Sequence, residues 1–150
     1  MDIDYLYKGI LSGNKQVLAK SITAVENREP GFENLIARVY SHTGKAHIIG
    51  VTGPPGSGKS TLVDKMAKQF RSLKKTIGII AVDPTSPFTG GAILGDRIRM
   101  SELTADKNIF IRSMGTRGHL GGLSRATSDA IKLMDAFGKN IILQIHCNPS

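Results

Sequence analysis

A glycine-rich segment carries the clearest chemistry in this sequence. Residues 53–60 read Gly-Pro-Pro-Gly-Ser-Gly-Lys-Ser and fit the pattern G-x-x-x-x-G-K-[ST]. Glycines let the backbone curl so that amide hydrogens point at phosphate oxygens, and a following helix adds the positive end of its dipole. Lys59 would contact the outer phosphates, while the Ser60 hydroxyl would ligate Mg²⁺. The segment predicts a site for a Mg²⁺-bound nucleoside triphosphate, and an ordinary glycine-rich turn is the alternative.

Two acidic residues are candidates to complete that metal site. Asp83 follows the apolar run Ile77–Val82, and parallel sheets bind ligands at the carboxyl ends of their strands. Because Mg²⁺ keeps several waters and takes one or two carboxylates, Ser60 with Asp83 would suffice. We predict a catalytic role for Lys59 and Asp83, although an Asp before proline also forms turns. Asp96 lies in a glycine-containing loop that could respond to the γ-phosphate, or could simply be solvated.

A second glycine-containing stretch, residues 117–122, follows the predicted third strand. Arg117 or His119 could contact phosphate or position a water molecule there. A lone histidine in such a loop is more often merely exposed, so we assign neither residue to catalysis.

The apolar pattern indicates which elements must position these residues. Residues 2–40 have helical spacing that is interrupted at Pro30-Gly31, and from residue 45 onward short apolar runs alternate with helical segments. Such alternation is typical of a parallel α/β sheet. We therefore predict a three-layer P-loop NTPase fold with an incomplete sheet, comprising a helical extension at residues 1–44 and a nucleotide-binding domain at 45–150. The predicted buried strands are Ile48–Val51, Ile77–Val82, Ile109–Ile111 and Ile141–Leu143, and the predicted helices after the loop are Leu62–Leu73 and Ser124–Phe137, the latter stopped by Gly138.

Composition narrows the class of protein. The chain is 40% apolar and 21% charged, as globular proteins are, and no apolar run approaches the roughly 20 residues of a membrane helix. The net charge is +8, but the basic residues are scattered and aromatic residues are few, which argues against nucleic acid as a partner. A single cysteine, Cys147, and an acidic N-terminus without a signal pattern lead us to expect a cytoplasmic protein.

Three segments together resemble one known family. They are VTGPPGSGKSTL at 51–62, AVDPTSPFTGGAILGDRIRM at 81–100 and IRSMGTRGHLGGL at 111–123. The sequence resembles the methylmalonyl-CoA mutase accessory GTPases, also known as lysine/arginine/ornithine transport kinases. The resemblance implies a GTP-hydrolysing chaperone that gates delivery of adenosylcobalamin to methylmalonyl-CoA mutase. It also implies a homodimer of P-loop domains of the SIMIBI class.

The resemblance assigns roles to positions in this sequence. It places the phosphate loop at Gly56–Thr61 and Mg²⁺-associated carboxylates at Asp83 and Asp96. The family continues after the fourth strand with a Glu-Thr-x-Gly segment, whereas residues 144–150 read Gln-Ile-His-Cys-Asn-Pro-Ser. The family's guanine-reading motif and dimerisation helices are also absent, so the resemblance implies a C-terminally truncated form. The residues expected to contact the GTP or GDP phosphates are Gly53, Pro55, Gly56, Ser57, Gly58, Lys59, Ser60 and Thr61.

The leading hypothesis is a Mg²⁺-dependent P-loop GTPase that acts by positioning and charge stabilisation. The first alternative is a P-loop kinase that phosphorylates a small molecule or a protein, although the sequence shows no recognisable pocket for such an acceptor. The second alternative is a chain that binds nucleotide, or the mutase, without turnover. The choice of guanine over adenine rests on the family resemblance alone.

Overall fold

The fold is an α/β sandwich built around one parallel sheet. A computed structural model of the protein describes residues 1–53, 58–83, 101–115 and 120–147. The predicted fold class is confirmed. The helices are α1 (Ile3–Leu11), α2 (Lys15–Glu26), α3 (Phe32–Tyr40), α4 (Lys59–Ser72), α5 (Ser101–Thr104) and α6 (Leu120–Phe137), and the strands are β1 (His47–Gly53), β2 (Ile77–Asp83), β3 (Ile109–Gly115) and β4 (Ile141–Cys147).

The four strands form a parallel sheet in the order β1-β4-β2-β3. The strands start level, because His47 and Ile77 both pair with Ile141, and Ile77 also pairs with Ile109. The strands therefore also end level. The β1–α4–β2 connection passes over β4, and the β3–α6–β4 connection returns in the opposite direction. Since such crossovers are right-handed, α4 and α6 must cover opposite faces of the sheet.

Two apolar cores confirm this arrangement of layers. The α4 core joins Val63 and Ala67 to strand residues such as Ile79 and Leu143. The second core lies on the other face, where α6 and the three N-terminal helices pack on the remaining strand residues. Its buried members are Leu6, Ile10, Val17, Leu18, Ile22, Val25, Phe32, Leu35, Val39, Ile80, Val82, Met114, Ala126, Ala130, Leu133, Met134 and Ile142.

The structure differs from the sequence predictions in the burial of β1 and in the N-terminal helices. The first apolar run was expected to be a buried strand, which is wrong for β1: it is an edge strand in the described sheet, and Ile48 is 48% exposed. The N-terminal region has a second break besides Pro30-Gly31. It falls at Ser12–Asn14, where Gly13 has a φ of +82° and Asn14 caps α2 by accepting hydrogen bonds from two backbone amides.

A buried carboxylate ties the helical layer to the start of β1. Asp135 on α6 accepts backbone hydrogen bonds from Gly44, Lys45 and Ala46, with N–O distances of 2.8, 3.3 and 3.1 Å. This contact holds the segment between α3 and β1, and through it the strand that leads to the glycine-rich loop. Among the described helices, none has the length and apolar character to cross a membrane.

Candidate nucleotide-binding site

The glycine-rich segment sits between the end of β1 and the start of α4. Gly53 ends β1, and Gly58 immediately precedes α4 with a φ of +90°, in the left-handed region where a side chain costs about 1–2 kcal/mol. This conformation turns the chain into the helix. Lys59 and Ser60 form the first turn of α4 and are 8% and 6% exposed.

The start of α4 favours a negatively charged ligand. The first turn of a helix leaves backbone N–H groups without helical partners and carries the positive end of the helix dipole. Gly58 offers no side chain to cap these groups, and no acidic residue occurs in the first turn of α4. Lys59 adds a full positive charge at the same place. Thr61, also predicted to contact phosphate, lies in this turn and is exposed.

The carboxyl ends of the other three strands lie at the same end of the sheet as the carboxyl end of β1. Asp83 ends β2 and pairs in register with Gly115, the last residue of β3. Gly53 pairs in the same way with Cys147, the last residue of β4. Because β4 lies between β1 and β2, the backbones at Gly53 and Asp83 are two strand spacings apart, or about 10 Å. The sheet thus brings Asp83 to the edge where the glycine-rich segment begins.

Several predicted site residues lie outside the described part of the chain. Pro55, Gly56 and Ser57 of the glycine-rich segment belong to this group, as does Asp96. The two residues left unassigned, Arg117 and His119, lie outside it as well. Their predicted contacts stay predictions.

The residues present fit a bound Mg²⁺ by their chemistry. Mg²⁺ prefers oxygen ligands and completes its shell with water. Ser60, in the first turn of α4, is a residue with a hydroxyl group, and Asp83, the last residue of β2, is one with a carboxylate. The backbones of both residues lie at the same end of the sheet. These two residues would hold the ion next to the phosphates.

Two ionisable groups with an altered pKa lie at the opposite end of the sheet, near the amino ends of its strands. Burial lowers the pKa of Lys139, just before β4, to about 8, and its ammonium group donates to the carbonyl of Asn108, 3.2 Å away. A hydrogen bond from Arg71 lowers the pKa of Asp106 below its ordinary value. Both groups lie at the amino ends of strands, away from the end of the sheet where the nucleotide site is predicted.

One polar contact beneath the site was not predicted from the sequence. Arg112 on β3 donates to Thr23 and Glu26 of α2 at 2.8 and 2.5 Å, and the Glu26 side chain is only 3% exposed. The ion pair fastens the helical layer to the strand that ends at Gly115. The sequence offered a signal, a lone arginine within an apolar strand, but its partner is 86 residues away along the chain.

Family comparison agrees with the geometry of the site. The profile of one family, described as methylmalonyl Co-A mutase-associated GTPase MeaB, matches residues 18–145. The chain belongs to this family. The matched range includes α4, β1 to β3, β4 as far as Ile145, and the glycine-rich segment. All the predicted site residues therefore lie within it.

Individual members of the MeaB family are similar over most of this chain. A Pyrococcus horikoshii protein with a provisional GTPase name is 56% identical over 140 residues, covering 93% of this chain and 44% of the relative. GTPase ArgK of Escherichia coli is 36% identical over 135 residues, covering 87% of this chain and 41% of the relative. The mouse homolog of methylmalonic aciduria type A is 36% identical over 155 residues, covering 94% of this chain and 37% of the relative. The chain thus spans less than half the length of these relatives.

Solved structures support the fold. The crystal structure of an LAO/AO transport system kinase superposes with a TM-score of 0.76 at 22% identity, covering 99% of this chain and 44% of that one. The signal recognition particle receptor FtsY of Elizabethkingia anophelis gives a TM-score of 0.53 at 17% identity. At these sequence identities, the structural similarity supports the fold alone.

Proposed function

We propose that this chain binds GTP or GDP with Mg²⁺ at residues 53–61 and hydrolyses GTP. The observation that carries the proposal is the start of α4, where left-handed Gly58 turns the chain into a helix that begins with buried Lys59 and Ser60. Membership of the MeaB family supports guanine as the base. A cytoplasmic location, as expected from the sequence, completes the proposal.

Catalysis in this site would rest on positioning and charge. Transfer of a phosphoryl group to water requires little covalent participation by protein groups. A protein therefore lowers the activation barrier mainly by orienting the reactants and stabilising the charge that develops. The amides at the start of α4 would hold the phosphates, and Lys59 would stabilise negative charge on the terminal phosphate. Ser60 and Asp83 would hold Mg²⁺, which when bound neutralises phosphate charge.

Replacement of Lys59 tests the phosphate site. Lys59→Ala removes a buried positive charge beside the triphosphate, and we expect GTP affinity to fall at least tenfold, which is about 1.4 kcal/mol. Lys65→Ala is the matched control, because Lys65 lies on the same helix with an exposed side chain. Equal affinities for GTP in the two variants, measured by calorimetric titration, would remove the phosphate-loop assignment.

The proposed metal ligand Asp83 calls for a separate titration. Asp83→Asn keeps the size of the side chain and removes its charge, so nucleotide binding should need a higher Mg²⁺ concentration while binding without Mg²⁺ changes little. The measurement is nucleotide affinity against Mg²⁺ concentration. An unaltered Mg²⁺ dependence would leave Asp83 with a purely structural role at the turn after β2.

The assay for turnover separates the GTPase from its two alternatives. The proposed GTPase releases phosphate to water, and Lys59→Ala abolishes the release. A kinase would instead transfer the phosphate to an acceptor, so radiolabel from γ-labelled GTP would appear on a protein or metabolite. Nucleotide binding with no phosphate release above the Lys59→Ala control would favour a binding chain without turnover.

The partner proposed for the whole protein is methylmalonyl-CoA mutase, with a role in adenosylcobalamin delivery. The family description supports it, since it names an association with this mutase. The homodimer implied by the resemblance is proposed for the whole protein in the same way. A pull-down of mutase by this chain, with GDP and with a non-hydrolysable GTP analogue, tests the partner. Mutase retention that is no greater than on a blank resin would count against it.

A further inference from the structure

Ser113 on β3 carries a buried hydroxyl group without a hydrogen-bond partner. The residue is 2% exposed, and its Oγ atom makes no hydrogen bond with any of the described residues. Buried hydroxyls nearly always have a partner, because a hydroxyl taken out of water loses its hydrogen bonds to water and must replace them. An alanine at this position would avoid that cost. The serine therefore needs an explanation other than the stability of the fold.

The strand pattern places Ser113 on the face of the sheet that α4 covers. Ile109 and Ile111 of β3 both pack in the α4 core, and residues of a strand alternate between the two faces. Ser113 continues this series, whereas its neighbour Met114 packs in the core on the other face. Ser113 therefore lies on the same side of the sheet as the start of α4, where the nucleotide site is proposed.

Ser113 is also close to the end of the strand that contains Asp83. Ala81 of β2 pairs in register with Ser113, and Asp83 pairs with Gly115. Position 83 belongs to the α4 face by the same alternation, because Ile79 lies in the α4 core. One strand spacing of about 4.8 Å and two residues at about 3.3 Å each put the Cα atoms of Ser113 and Asp83 about 8 Å apart. A serine hydroxyl and an aspartate carboxylate can bridge that distance directly or through one water molecule.

We propose that Ser113 is a positioning residue for Asp83 when Mg²⁺ is bound. Its hydroxyl donates a hydrogen bond to the Asp83 carboxylate, directly or through one water molecule, and thereby holds the carboxylate in the orientation that the metal needs. Ser113 itself does not touch the nucleotide. The inference rests on the proposed function, because it concerns a ligand of the proposed Mg²⁺ site.

A carboxylate held in place is a better metal ligand than a mobile one. Ordering a side chain on binding costs conformational entropy, and a hydrogen bond from a buried donor orders the carboxylate beforehand. Orientation matters for Mg²⁺ in particular, since this ion demands near-ideal octahedral geometry. The same bond gives the Ser113 hydroxyl the partner that it lacks among the described residues. Burial of the hydroxyl and its position beside Asp83 thus have one common explanation.

Thr127 provides a matched control within the same chain. This residue is also 2% exposed, and its Oγ1 atom likewise makes no hydrogen bond with the described residues. Thr127 lies on α6, which packs on the opposite face of the sheet from α4. The two hydroxyls are alike in burial and differ in the face of the sheet on which they lie. Only the loss of the Ser113 hydroxyl should therefore affect the metal.

A Mg²⁺ titration of GDP binding to the full chain tests this role. Ser113→Ala should raise the Mg²⁺ concentration at half-saturation about tenfold, the lower end of the ~10–100-fold loss typical when a contact behind a metal ligand is removed. Its GDP affinity without Mg²⁺ should not change, and its urea midpoint should equal or exceed that of the original chain, because an unpartnered buried group is removed. Thr127→Val should titrate like the original chain. An unaltered Mg²⁺ dependence of Ser113→Ala, or an equal shift in Thr127→Val, would overturn the proposal.

A double change tests whether Ser113 acts through Asp83. In an Asp83→Ala background the acceptor is gone, so Ser113→Ala should alter the Mg²⁺ dependence less than about twofold. Independent effects that multiply would show that Ser113 acts on another group and would contradict the positioning role.

The original chain separates this inference from the proposed function. If it binds GDP in a Mg²⁺-dependent manner and Ser113→Ala behaves identically, the positioning role alone is wrong. If the folded original chain shows no Mg²⁺-dependent binding, the proposed function is wrong and the inference falls with it.

Discussion

Removal of the Asp135 carboxylate should be among the most damaging single changes in this chain. Asp135 is 7% exposed and accepts hydrogen bonds from Gly44 and Ala46 at 2.8 and 3.1 Å, with a longer one from Lys45 at 3.3 Å. A hydrogen bond to a charged group contributes about 1.5–3 kcal/mol. Counting the two shorter bonds, Asp135→Ala should lower the free energy of unfolding by about 3–6 kcal/mol. That is a large part of the ~5–15 kcal/mol available to a domain.

Urea unfolding followed by circular dichroism compares the stability of this variant with that of the original chain, because the midpoint and slope of the transition yield the free energy of unfolding. Asp135→Asn retains one acceptor oxygen and should lose only about 1–2 kcal/mol. Asp64→Ala is the control, because Asp64 carries a surface ion pair with Lys68 on α4 that is worth at most about 0.5 kcal/mol. If the free energy of unfolding of Asp135→Ala is within about 1 kcal/mol of that of the original chain, the hydrogen bonds of Asp135 to the segment before β1 contribute little and the reasoning is wrong.

Three further changes test the packing and the charges. Gly9→Ala should cost about 1–3 kcal/mol, because its Cβ would lie 2.5 Å from a methyl group of Val17, and Gly9→Ala with Val17→Ala should recover part of that loss. Arg112→Met should lower the free energy of unfolding by about 3–5 kcal/mol, because it removes the arginine from a buried ion pair with Glu26. The double change Arg112→Met with Glu26→Leu should be milder in the same urea assay. Burial lowers the pKa of Lys139 to about 8 from its ordinary value of 10.5, so the folded chain releases this proton more readily than the unfolded chain. The free energy of unfolding relative to Lys139→Met should therefore rise as the pH increases from 8 to 10.5, and this gain should be lost as the pH falls through 8. A flat difference across that pH range would argue against the lowered pKa.

The sequence predicted most of the sheet because local patterns determine it. The apolar runs at residues 77–82 and 141–143 lie in β2 and β4, and Gly138, with a φ of +112°, follows α6 at the predicted stop. The glycine-rich segment was placed correctly between a strand and a helix for the same reason. Each of these features depends on the types of neighbouring residues.

Features that depend on distant parts of the chain were not predicted. Strand order places β4 between β1 and β2. Within the described residues this order leaves β1 at one side of the sheet with Ile48 exposed, although its sequence is as apolar as that of a buried strand. The partners of Asp135 and Arg112 lie about 90 residues away, so no local pattern identifies them. The break at Gly13 was missed because one glycine between two helical patterns is a weak signal.

The central claim is that this chain binds a guanine nucleotide with Mg²⁺ at the start of α4. The most direct test is a titration of the purified chain with fluorescent GDP, with ADP as competitor, each with and without Mg²⁺. The account predicts saturable GDP binding that Mg²⁺ strengthens, that ADP does not displace at equal concentration, and that Lys59→Ala loses. Absence of GDP binding by the folded chain, or binding that survives Lys59→Ala unchanged, would contradict it.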